Sequence, residues 1–73
     1  MSDQKFEIID VGNVRIVKRH NAAFLVDSLD GGPKEVWIPF SQIKEGSEIT
    51  KDSEEGDEGD LSIPRWLADE NGF

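Results

Sequence analysis

The residues able to do chemistry are few, and their surroundings argue for contact rather than catalysis. His20 is the single histidine in 73 residues and no cysteine accompanies it, so nothing is at hand to share a metal or form a nucleophile–base pair with it. Ser28, Ser41, Ser47, Ser53 and Ser62 all lack the surroundings of a nucleophile elbow. Gly31-Gly32 leads into Pro33-Lys34, without the spacing or the Lys-Ser/Thr of a phosphate loop, and reads as a turn. Six carboxylates, Asp52, Glu54, Glu55, Asp57, Glu58 and Asp60, invite a divalent cation. An EF-hand loop needs glycine sixth and glutamate twelfth. Counted from Asp52 the sixth residue is Asp57, and counted from Glu54 the twelfth is Arg65. No cofactor, no metal and no enzymatic activity are therefore expected.

The residues suited to contact are better grouped. Arg15, Lys18, Arg19 and His20, with Lys34 across the sheet, form the one basic cluster, and Phe24 and Trp37 are the aromatic platforms beside it. Small barrels hold single-stranded nucleic acid with that combination. Phe24, however, alternates with Ala22 and Val26, which makes it core. Trp37 points outward if Val36 and Ile38 face inward; it either packs under the terminal segment by way of Trp66 or anchors a partner. The net charge of -8 is lopsided: residues 1–44 carry six acids and six bases, residues 45–73 ten acids and two bases. An acidic rear repels phosphate backbones and attracts basic protein surfaces.

These residues must be positioned by a thin core. The run from Lys51 to Asp60 contains no apolar side chain, so burial cannot offset its ordering entropy. Residues 5–45 are expected to form a β core, residues 46–60 an acidic flexible loop, and residues 61–73 a strand and capping helix. Phe6, Ile8, Ile9 and Val11 start a first segment, and Gly12-Asn13 is either a tight turn or a bulge in one long strand. Val14 and Ile16 alternate around Arg15, and the polar cluster Lys18 to Asn21 is expected to turn the chain. Residues 22–29 and 35–38 read as a hairpin across Asp30-Gly31-Gly32-Pro33. Ser41 is placed to cap a single turn ending at Gly46, with Ile43 turned to the core. Pro64 fits the first position of a terminal helix, and Gly72 fits a left-handed cap that folds Phe73 back onto Leu67. Strands this short are best served by a mainly β fold. It would be a small curled antiparallel sheet or barrel, SH3-like or OB-like, with one short C-terminal helix and an acidic internal loop.

Trp37-Ile38-Pro39-Phe40-Ser41-Gln42-Ile43, the acidic spacer and the terminal Ile63-Pro64-Arg65-Trp66-Leu67-Ala68 with Gly72-Phe73 resemble a family of small bacteriophage and prophage proteins. Those share a Trp-Ile/Val-Pro-x-Ser-Gln-Ile element, an acidic gap and a Pro-x-Trp-x-Ala helix. The resemblance covers residues 36–73 well and the first strands loosely, and implies a phage setting, with no catalytic residue. Phe40 stands where lysine is common in that family.

The reading is a non-catalytic accessory protein that binds a macromolecular partner, a host or phage protein of DNA metabolism. Trp37 and Phe40 would supply the anchors, and Glu54, Glu55, Asp57 and Glu58 the charged rim. The alternatives are a nucleic-acid-binding barrel using Arg15, Lys18, Arg19, Lys34 and Trp37, and a subunit of a small homo-oligomer. Met1-Ser2-Asp3-Gln4-Lys5 is polar and leads into too short an apolar run for a signal peptide. No membrane association is expected, and the host cytoplasm is the expected location.

Overall fold

A computed structural model describes residues 6–73, so Met1–Lys5, including the first residue assigned to the β core, lie outside the described residues. The apolar alternation of the first half forms β1 (Ile8–His20), β2 (Ala23–Ser28) and β3 (Val36–Pro39), and β4 (Glu58–Pro64) returns beside β1. The sheet is antiparallel in the order β3-β2-β1-β4. It curls into a half-barrel with one short C-terminal helix, α1 (Arg65–Glu70).

The first strand is long and bent. Gly12-Asn13 is a bulge rather than a turn: the β4 register shifts between Asp10 and Asn13, and Gly12 takes φ 91, which glycine adopts without penalty. Two carboxylates fix this bend, Asp10 accepting from the Gly12 amide at 2.8 Å and Asp30 from the Asn13 amide at 2.9 Å. A second bulge lies at Val17, where the β2 register shifts between Ile16 and Lys18. Lys18 to His20 therefore do not turn the chain; they extend β1, and Asn21-Ala22 make the turn.

Val14, Ile16, Phe24, Val26, Val36, Ile38, Leu61 and Ile63 fill the concave face of the sheet, joined by Leu67 and Ala68 of α1 and by Ile49. Ile49 is an addition to the expected core. It is buried because the Ser47 hydroxyl and the Glu48 and Ile49 amides all donate to the Asp60 carbonyl, at 3.0, 3.0 and 3.1 Å. Burial of an isoleucine side chain contributes about 2 kcal/mol, enough to pin a short loop. The acidic run is tied down further along: Gly56 donates to the Ile16 carbonyl at 2.7 Å and the Ile16 amide donates to Asp57 at 2.9 Å. The last strand begins at Glu58, three residues before Leu61.

At the edges, backbone chemistry is rationed. Lys44, Glu48 and Ile49 donate to Ser62 and Asp60 and so cover part of β4. On β3, the Phe40 amide bonds Ala22 at 2.7 Å. By alternation Ile38 and Val36 bond β2, and the backbones of Trp37 and Pro39 turn to the open edge. Proline has no donor there. Ser41 is not a cap: Phe40–Gln42 form a 3-10 turn whose N-cap is Pro39, without a side-chain cap bond. Pro64 likewise is the N-cap of α1 and the last residue of β4, not the first helical residue, because its extended backbone ends the strand.

The helix closes as its sequence indicates. Gly72 has φ 84, Phe73 donates to the Ala68 carbonyl at 3.0 Å, and Gly72 donates to Asp69 at 3.3 Å. This is the Schellman pattern. Phe73 and Trp66, both half-buried, pack against the core. Among the described residues no helix is long and apolar enough to cross a membrane.

Candidate partner-binding surface

The convex face of the sheet carries the exposed Trp37. Leu25 stands between Lys18 and Trp37 in one cross-strand row, and Ala23 between His20 and Pro39 in the next. Val36 and Ile38 are buried, as alternation requires, which leaves Trp37 45% exposed. Its ring meets His20 edge-on, with centroids 6.4 Å apart and planes at 65°. Trp66 does not cover it, because α1 packs against β1 and β4 and turns Trp66 to the core. Val17, at the bulge, is another exposed apolar residue of β1, at 42%. An exposed amphipathic aromatic ring beside an apolar neighbour is the usual composition of an anchoring residue at a protein interface.

The second bulge decides which bases accompany Trp37. Arg15 pairs with Asp27 and Lys18 with Leu25, so the extra residue puts both on the convex face despite their odd spacing. Arg19, opposite Phe24, is sent to the concave face, where its guanidinium lies 6.0 Å from the Phe24 ring centroid and 5.2 Å from that of Phe40. Arg15 is bound to Glu58, its Nε at 2.8 Å and Nη2 at 2.6 Å from one carboxylate oxygen. The Lys34 ammonium donates to the Ser28 carbonyl at 2.9 Å and closes the β2–β3 connection. The five members of the basic and aromatic patch thus do not share one surface: Lys18 and Trp37 stand together, Arg15 is ion-paired, Arg19 faces the other side, and Lys34 closes a turn.

The six residues of the partner-binding set separate too. Phe40 is two residues beyond the inward Ile38; it packs on Phe24 with centroids 4.7 Å apart, on the face opposite Trp37. Glu55 accepts from the Arg19 amide at 3.1 Å, Asp57 from the Glu54 amide at 2.8 Å, and Glu58 holds Arg15. These acids border β1 next to its basic residues. His20, Lys18 and Leu25, which complete the surroundings of Trp37, were legible only as a basic stretch and a core strand, since the bulge is invisible in the apolar pair Ile16-Val17.

A different charge pattern surrounds the Gly12 bulge. The Asp10 carboxylate, partial burial, and the Glu48 and Asp30 carboxylates together push the Asp60 carboxyl above its ordinary pKa. Each neighbour is held by an amide: Asp10 by Gly12, Asp30 by Asn13, Glu48 by Asp60 at 2.9 Å. Among the described residues no three His, Asp or Glu side chains converge as a bound metal ion requires. No family model, curated protein or solved structure matches this chain.

Proposed function

We propose that this chain is a non-catalytic binding module that docks a protein partner on its convex sheet face, with Trp37 as the anchor. The observation that supports this most is the exposure of Trp37 between Leu25, His20 and Lys18 on the convex face, with α1 packed against β1 and β4 instead. The nucleic-acid reading is weaker, because Arg15 and the Arg19 backbone are engaged by the chain's own acids and the net charge is -8. A partner from phage or host DNA metabolism, met in the host cytoplasm, belongs to this proposal through the phage-like pattern of residues 36–73.

The test compares the full chain with its Trp37→Ala variant as bait in bacterial extract, followed by titration of the retained protein. Truncation of an interface anchor costs about 2 kcal/mol or more, so affinity should fall at least about thirtyfold while the melting temperature stays level. Equal retention by both baits would remove Trp37 from the interface. Micromolar binding of single-stranded oligonucleotide that weakens steeply with salt would replace the protein by nucleic acid.

A further inference from the structure

A groove on the side of the sheet away from Trp37 gathers positive charge from two described lysines. It has a volume of about 310 Å³ and lies between the 3-10 turn and the following loop, with Phe40 and Ile43 among its apolar lining and Lys44, Thr50 and Lys51 on its walls. The Arg19 guanidinium stands 5.2 Å from the ring centroid of the same Phe40. Glu45 is the one acid in the lining. In a chain of net charge -8 this is a local inversion. Among the described residues, Arg15 and Arg65 are in salt bridges with Glu58 and Glu7, and Lys34 is bound to a turn carbonyl. Of the remaining described Lys and Arg residues, Lys44 and Lys51 line the groove, Lys44 with a long 3.5 Å bond to the Ser41 carbonyl that leaves its charge unpaired, Arg19 stands over the ring of Phe40, and Lys18 lies on the other face.

An apolar floor too small for a large interface, rimmed by flexible cations, fits one side chain with acids on either side of it. We infer that the groove is a docking site for an extended peptide segment that presents a single aliphatic residue flanked by carboxylates. The floor takes the aliphatic side chain, and Lys44 and Lys51 meet the flanking acids as mobile point charges. The site is independent of the convex face: Phe40 and Trp37 point to opposite sides of the sheet, so either can fail alone.

The probe is a blocked Asp-Glu-Leu-Glu-Asp peptide titrated into the full chain labelled with nitrogen-15. Two controls accompany it, Asn-Gln-Leu-Gln-Asn and the charged peptide with serine in place of leucine. Amide shifts are expected at Phe40, Ile43, Lys44 and Lys51, with both controls weaker. Raising salt from about 50 mM to about 500 mM should weaken the charged peptide several-fold through screening. Lys44→Glu with Lys51→Glu should weaken it at least about tenfold, each exposed pair contributing modestly and each reversal adding repulsion. Trp37→Ala should change nothing. If the double variant fails to fold, the salt series on the unaltered chain decides. Equal binding of the uncharged peptide, shifts centred on Trp37, or no shifts would overturn the proposal. Stronger shifts of the same amides by oligothymidylate would overturn it in favour of nucleic acid.

Discussion

At the Gly12 bulge of β1, Asp10, Asp30, Glu48 and Asp60 gather without a base among them, whereas around the Val17 bulge Glu58 meets Arg15 and Glu55 meets the Arg19 amide. Both bulges bend the same strand, yet they tolerate charge by different means. At the first, amide donors fix three carboxylates one by one, and such bonds to a charged acceptor are worth more than neutral ones. The repulsion left over appears in the raised pKa of Asp60. At the second, Arg15 balances Glu58 in solvent, where an ion pair contributes little, and a single amide, that of Arg19, holds Glu55. The Gly12 bulge should therefore be stiff and pH-sensitive, and the Val17 bulge soft and salt-sensitive.

Gly12→Ala should break the comparison hardest. A side chain there combines φ 91 with a Cβ in steric conflict with the Asp30 carboxylate, which must leave the Asn13 amide. Left-handed backbone costs about 1–2 kcal/mol and the lost bond about 1 kcal/mol, so chemical denaturation should show a loss of about 2–3 kcal/mol. A loss under about 0.5 kcal/mol, the size of an ordinary surface substitution, would mean that this bulge is as soft as the other.

Asp60→Asn should act in the opposite direction and raise the melting temperature at neutral pH. With its pKa raised in the folded state, Asp60 binds its proton more tightly there than in the unfolded chain, so stability falls as pH rises from the ordinary carboxylate range through the folded value. The gain from Asn should shrink on acidification through that window. A gain that is flat with pH would show that repulsion is not its source.

Glu58→Gln should do least. The pair it breaks has side chains 55% and 46% exposed, and such pairs contribute about 0.2–1 kcal/mol. Added salt should erase even that difference, which thermal melts at two ionic strengths would reveal.

The contrast between the bulges also marks where sequence stops informing structure. Gly12 announced an irregularity because glycine before Asn interrupts an apolar alternation; choosing bulge over turn needed Asp30, seventeen residues away, on the Asn13 amide. Val17 announced nothing, since a β-branched residue suits a regular strand and a bulge alike. With it went the facing of Lys18 and Arg19, and hence the make-up of both candidate surfaces. Ile49 carries no signal in the sequence, because a lone apolar residue in a polar stretch has no period and its burial depends on the distant Asp60 carbonyl. The curled sheet, the inward Phe24, the outward Trp37 and the Gly72 cap were legible, for each follows from alternation or from a local left-handed turn.

The rationed edge of β3 has a consequence for life in a crowded cell. A second sheet edge aligning along Val36–Pro39 would find a single amide, that of Trp37, and then a gap at Pro39. The outward carbonyls of Trp37 and Pro39 can still accept, so the proline shortens the ladder that another strand could build on this edge and leaves it poor in donors.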